Sequence, residues 1–190
     1  IGRLVGSEMC IRDRFTGVQF HSAHGYLLSE FLSPDINNRN DAWGGDIENR
    51  ARIHLEIIKR CREEVGEDFP ISVKMNSADF QKGGFDADDS IIVAKMLESA
   101  GVDIIEISGG TYEQPKLIGV DDLTINPERS EQRKESTIAR EAYFLEYAKD
   151  IRKAVSLPLM VTGGFRTKEG IEDALKSNIC QIIGIGRPLC

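Results

Sequence analysis

The stretch Pro70-Ile71-Ser72-Val73-Lys74-Met75, answered after a helical interval by Val102-Asp103-Ile104-Ile105-Glu106-Ile107, decides the fold. Each run is short, apolar and rich in β-branched residues, the pattern of a buried strand. Between them a polar, glycine-containing loop (residues 76–85) leads to Asp86 and Asp88. Either carboxylate can cap a helix by accepting from its free first-turn amides. That helix is expected to turn Ile91, Ile92, Met96, Leu97 and Ala100 inward and to end at Gly101. Strand, helix and strand in this order make a parallel pair joined by a right-handed crossover.

The same unit recurs on both sides. Upstream, residues 17–21 read as a strand. Asp46 is expected to cap a helix running to about Glu64, with Ile53, Ile57, Ile58 and Cys61 on one face and Gly66 as its left-handed stop. Downstream, a helix over residues 139–154 carries Ala142, Leu145, Ala148, Ile151 and Val155 on one side. Residues 157–162 form a strand, Thr167 caps a short helix to Lys176, and residues 181–185 form the last strand. Strands alternating with amphipathic helices predict an α/β fold with a parallel sheet. A doubly wound sheet and a (β/α)₈ barrel both satisfy that order. No G-x-G-x-x-G follows the first strand, against a dinucleotide-binding doubly wound fold. Glycines after the last two strands, Gly163-Gly164 and Gly186, favour the barrel, where phosphate is commonly held after strands seven and eight.

Composition narrows the function classes. The 190 residues are 41% hydrophobic and 29% charged, ordinary for a globular chain. The net charge of −7, without a basic stripe, argues against nucleic acid as partner. No apolar run is long enough to span a bilayer, which argues against a membrane role. Cys10, Cys61, Cys180 and Cys190 are widely spaced and contain no C-x-x-C pair. Free thiols in a reducing cytoplasm are the expectation, with Cys61 and Cys180 as small core residues. Residues 1–14 fit poorly with the rest of the chain and are set apart, in expectation, as a foreign leader.

The chemistry gathers where strands end. His21, His24 and Tyr26 stand within six positions just after the first strand, and Gly25 lets the backbone turn there. Two imidazoles can aim N–H donors at one oxygen and stabilise charge that develops on it. Tyr26 can then deliver a proton as general acid. A metal pair is the alternative, but zinc needs a third ligand, and the remaining histidine, His54, lies mid-helix. Lys74 stands at the end of the second strand, either as a fixed cation beside an anionic ring or as an ordinary ion-paired lysine. Gly163-Gly164 and Gly186-Arg187 suit a phosphate, since glycine allows close backbone approach and arginine adds a charged fork. The run Glu48-Asn49-Arg50-Ala51-Arg52 is read as tying a helix to its loop, and residues 131–135 as a solvated face. The long polar segment 111–136 is of a kind that is often functional.

These blocks resemble the old yellow enzyme family of FMN-dependent NAD(P)H oxidoreductases. The resemblance rests on His21-Ser22-Ala23-His24-Gly25-Tyr26, Phe31-Leu32-Ser33-Pro34 and Trp43-Gly44-Gly45-Asp46-Ile47-Glu48-Asn49-Arg50. It continues through Val73-Lys74, Ser108-Gly109-Gly110, Val161-Thr162-Gly163-Gly164-Phe165 and Ile185-Gly186-Arg187-Pro188. It implies a TIM (β/α)₈ barrel with FMN at its mouth and NAD(P)H as reductant. Hydride would pass from flavin to the β-carbon of an activated alkene, such as an enone. His21 and His24 would hold the substrate carbonyl, Tyr26 would be the proton donor, and Lys74 would sit by the flavin N1/O2 edge. Gly163, Gly164, Gly186 and Arg187 would bind the FMN phosphate. The resemblance begins at the fourth barrel strand, so residues 15–190 are expected to be an incomplete barrel, about strands 4 to 8. A small-molecule substrate and a possible homo-oligomer are the expected partners. A metal-dependent barrel hydrolase using His21 and His24, or a non-catalytic remnant, are the alternatives.

Overall fold

The computed structural model describes residues 15–111 and 143–186. The elements run β1 (Val18–Ser22), α1 (Leu27–Leu32), α2 (Ile47–Val65), β2 (Ile71–Asn76), α3 (Ala87–Ser99), β3 (Ile104–Ser108), α4 (Tyr143–Ala154), β4 (Leu159–Thr162), α5 (Lys168–Lys176) and β5 (Ile182–Gly184). All strand pairs are parallel, in the spatial order β1-β2-β3-β4-β5. Each strand lies beside the next one in sequence. A doubly wound sheet reverses its order at a switch point, and these strands do not. The winding is therefore that of a barrel.

Strand alternation divides the sheet into two faces. Ile71, Val73, Met75, Ile105, Ile107, Leu159 and Val161, each at most 1% exposed, face the helices. All of these but Ile71 form one core with Ile58, Val93, Leu97, Phe144 and Ile151. Burying a side chain of this size stabilises by roughly 1.5–3 kcal/mol. The intervening residues turn to the other, inner face. Register sets His21 beside Lys74, Lys74 beside Glu106, and Glu106 beside Met160. One row of the inner face thus carries an imidazole, an ammonium and a carboxylate.

Several local expectations are corrected. Asp46 occupies the N-cap of α2, but its carboxylate makes no capping bond. Its backbone carbonyl instead accepts from the amides of Asn49 and Arg50. The buried stripe of α2 is Ile47, Arg50, Ala51, His54, Ile58 and Cys61, so Ile53 and Ile57 are only half-buried. In α3 Ile92 is 38% exposed, because Ser90, Val93, Ala94 and Leu97 take the core-facing positions. Lys74 does not end its strand, since β2 continues to Asn76. The short helix α1 is an addition to the expected order. Asp86, Thr167, Gly66 and Gly101 act as expected: Asp86 and Thr167 accept from Asp89 and Gly170, and both glycines have left-handed φ.

Two arginines fasten the layers. Arg50 is buried and donates to the carbonyls of Gly45 and Leu32 and, at 2.9 Å, to Asp89. It ties the loop before α2 to α3, in keeping with its charge run. Arg62, in the last turn of α2, does the same at the strand N-terminal ends. It donates to the carbonyls of Gly66, Phe69 and Gly101 and pairs with Asp103 at 2.7 Å.

Candidate functional site

The site is built where β1, β2 and β3 end. β1 stops at Ser22, and the chain reverses through His24 (φ 64°) and Gly25 (φ 78°) into α1. Ser29 staples this turn. Its hydroxyl accepts from the Gly25 amide at 2.8 Å and donates to the Tyr26 carbonyl at 3.0 Å. Three rings come together as a result. The His21 ring centre is 5.2 Å from that of His24 and 5.1 Å from that of Tyr26. Tyr26 is 45% exposed, so the cluster opens to solvent.

The loops beyond β2 and β3 hold this turn from beneath. Asn76 Oδ1 accepts from the His24 amide at 3.1 Å, while Asn76 Nδ2 donates to Asp79 Oδ1 (2.8 Å) and to the Gly110 carbonyl (3.2 Å). Asp79 Oδ2 in turn accepts from the Phe85 amide. The amide of Ser77 donates to the Ser108 carbonyl at 2.7 Å, and His24 Nε2 is hydrogen-bonded to Ser108 Oγ at 2.8 Å. Asn76 and Ser108 are 1% and 0% exposed. Sequence reasoning gave neither a role. The available signal was position, since each is a polar residue at the end of an apolar strand.

Lys74 is paired. Its Nζ lies 2.8 Å from Glu106 Oε1, with side-chain exposures of 19% and 5%. Gln19 Nε2 donates to Glu106 Oε2 at 2.8 Å and to Ser72 Oγ at 3.0 Å. Lys74 is thus ion-paired, and the pair faces the site. Burial pushes the Glu106 carboxyl up, but hydrogen bonds from Lys74, Thr162 and Gln19 and the charge of Lys74 together outweigh it and hold the group below the usual range. Burial, and then the charge of Lys74, lowers the His21 pKa. Burial, Lys74 and His21 together push His24 down to about 4. Both imidazoles are therefore neutral near neutral pH, and each carries one N–H.

Parallel strands bring all their C-terminal ends to one side, so the glycines after β4 and β5 share this side with the histidines. Gly163 (φ 119°) and Gly164 (φ 86°) follow β4 in the left-handed region. A Cβ on Gly163 would lie 2.9 Å from the Phe144 ring. Gly164 is exposed, and a Cβ on Gly186 would meet only open space. Arg187, residues 131–135 and nearly all of the polar segment 111–136 lie outside the described residues. Cys61 and Cys180 are buried, as expected of core residues. Among the described residues, no three His, Cys, Asp or Glu side chains are grouped to hold a metal ion. Among them, no helix is long and apolar enough to cross a membrane.

The profile of the NADH:flavin oxidoreductase / NADH oxidase family matches residues 7–190. The chain is 40% identical over 184 residues to the NADH-dependent flavin oxidoreductase iliE of Hypocrea jecorina, covering 96% of this chain and 44% of that protein. It is 36% identical over 175 residues to the NADH oxidase of Thermoanaerobacter brockii, covering 92% of this chain and 25% of that one. Among solved structures, 2-naphthoyl-CoA reductase in complex with 2-naphthoyl-CoA superposes with a TM-score of 0.83 at 31% identity, over 98% of this chain and 26% of that one. The old yellow enzyme homologue from Zymomonas mobilis superposes with a TM-score of 0.70 at 25% identity, over 96% of this chain and 45% of that one. The chain thus spans less than half the length of these proteins.

Proposed function

The chain belongs to the NADH:flavin oxidoreductase / NADH oxidase family, and from that membership we propose that it carries the substrate-binding half of an FMN-dependent NAD(P)H oxidoreductase that reduces activated alkenes. FMN, with NAD(P)H as reductant, is the cofactor pair of this family. The residues present fit FMN. Lys74 offers a cation on the inner face, beside two neutral imidazoles. Gly164 offers exposed backbone, and Gly186 offers backbone with open space where a side chain would stand, for a phosphate. In this reading Lys74 holds the N1/O2 edge of the ring, and Gly163, Gly164, Gly186 and Arg187 hold the phosphate.

Bound FMN would supply hydride transfer, from NAD(P)H and onward to the β-carbon of an enone. The chain's own residues do the rest. His21 and His24 donate to the substrate carbonyl oxygen and stabilise the negative charge that grows there as hydride arrives. Tyr26 gives its phenolic proton to the α-carbon, completing addition of one hydride and one proton. The observation that carries this reading is the gathering of the three rings, with centres about 5 Å apart, at the end of β1. Tyr26→Phe tests the proton donor. Alkene reduction should fall by about 10²–10⁴-fold with reduction of the flavin by NAD(P)H unchanged. Equal loss in both half-reactions would remove Tyr26 from that role.

We further propose that residues 15–190 are an incomplete barrel and that this chain alone holds FMN weakly. The five described strands in sequential order, and the coverage of less than half of each relative, support this. An open parallel sheet leaves edge strands and part of its inner face to water. Mixing with a chain that carries the preceding three strands should raise FMN retention and activity together. Stoichiometric yellow chromophore and enone reduction by the purified 190-residue chain alone would contradict it.

A further inference from the structure

Ser108 is wholly buried at the end of β3, and its Oγ lies 2.8 Å from His24 Nε2. Among the described residues, that imidazole is the partner of the hydroxyl. The contact can run in either direction, because a neutral imidazole has one nitrogen that donates and one that accepts. If Nε2 carried the proton, Ser108 would accept and, among the described residues, its own O–H would be left buried without a partner. An unpaired buried donor costs its full desolvation, whereas a spare lone pair on a hydroxyl costs less. The favourable arrangement is therefore Oγ–H donating to Nε2.

We propose that Ser108 is a positioning residue that fixes His24 as the Nδ1–H tautomer, so that Nδ1–H is the donor offered to the substrate oxygen. This deepens the reading of His24 as a carbonyl-binding residue and rests on it. The backbone supports it independently. The His24 amide is held by Asn76 Oδ1 at 3.1 Å in a left-handed turn, so the ring is pinned at its base as well as at Nε2. With the pKa of His24 near 4, the ring has a single N–H near neutral pH, and its placement decides whether that N–H is turned to Ser108 or away from it. Substrate choice is set by this placement. The site accepts an oxygen that can take a hydrogen bond, such as a carbonyl or a phenolate, and rejects a group that can only donate.

The chain has three histidines, so long-range ¹H–¹⁵N spectra of the labelled 190-residue protein near neutral pH resolve each ring. His24 is assigned by the signals lost in His24→Gln. The wild-type ring should show a protonated Nδ1 and a bare Nε2. Ser108→Ala should shift the ring toward the Nε2–H form that free imidazole prefers, and Ser108→Thr, which keeps the hydroxyl, should restore the wild-type pattern. An Nε2–H ring in the wild type, or a tautomer unchanged in Ser108→Ala, overturns the proposal. Cyclohexenone added to the FMN-loaded protein separates the two claims. If His24 signals ignore the enone while the tautomer follows Ser108, the carbonyl-binding reading fails and the tautomer assignment stands.

Discussion

Two cation–carboxylate pairs bridge neighbouring elements of this sheet, and they teach different things. Arg62–Asp103 sits at the strand N-terminal ends and Lys74–Glu106 on the inner face, with separations of 2.7 and 2.8 Å. Around Arg62 the polar groups close on one another. Its guanidinium takes four backbone carbonyls besides Asp103, and Asp103 Oδ2 also accepts from the Ile71 amide. Around Lys74 the neighbours are two neutral imidazoles, with a half-exposed phenol beside them at the rim. The first arrangement fastens the fold. The second gathers proton-bearing rings beside a cation at the end of a barrel where active sites are found.

The largest test of this contrast is Lys74→Met. It leaves Glu106 buried without a cation, which costs on the order of 3 kcal/mol in urea unfolding, and it raises the pKa of both His21 and His24, since Lys74 lowers each of them. Adding Glu106→Gln should recover much of the stability. Unmoved histidine titrations in Lys74→Met would separate the pair from the site.

Acid probes the imidazoles next. His54 is 2% exposed, and burial pushes its pKa down to about 4 from an ordinary 6.5. The unfolded chain therefore takes protons first. Stability is complete above about pH 6.5 and is lost as pH falls toward 4, by up to about 3 kcal/mol. His24 adds loss in the same window and direction. His54→Leu should flatten this acid slope while leaving the signals of His21 and His24 in place. A slope unchanged in His54→Leu would mean that the buried ring does not control it.

Arg62→Ala comes third. It removes bonds to four carbonyls and a half-exposed carboxylate, a loss of roughly 2 kcal/mol seen in thermal or urea melts. The histidine titrations at the other end should not move, and a shift there would erase the distinction between the two pairs. Ser29→Ala is the smallest effect, about 1 kcal/mol from two hydrogen bonds within the turn. Its signature should be a shifted Tyr26 ring resonance rather than a lower midpoint alone.

The alternation of strands and helices is legible in the sequence, and so are the donors at the first strand end, because residue type and place coincide there. His21, His24 and Tyr26 are rare residues at the end of an apolar run. What escapes a sequence reading depends on register. Glu106 reads as one charge inside Ile104-Ile105-Glu106-Ile107, and only strand pairing puts it beside Lys74. Asn76 and Ser108 act on His24 across separations of 52 and 84 residues, which no local pattern records. Helix faces depart from expectation where a buried polar residue displaces an apolar one. Arg50 and His54 take core-facing positions of α2 that apolar periodicity assigns to Ile53 and Ile57. Asp46 is right as a position and wrong as a bond, since residue identity predicts where a cap stands and not how its side chain turns.

In the proposed function, flavin binds at the strand C-terminal ends and leaves the opposite end alone. Backbone amide shifts of the labelled chain, followed as FMN is added in excess, test it most directly. Shifts are expected at Gly163, Gly164, Gly186, His24 and Lys74, with the amides around Arg62 and Asp103 unmoved. Shifts confined to the Arg62 end, or to the groove lined by Leu55, Lys59, Lys95 and Met96 between α2 and α3, would contradict it.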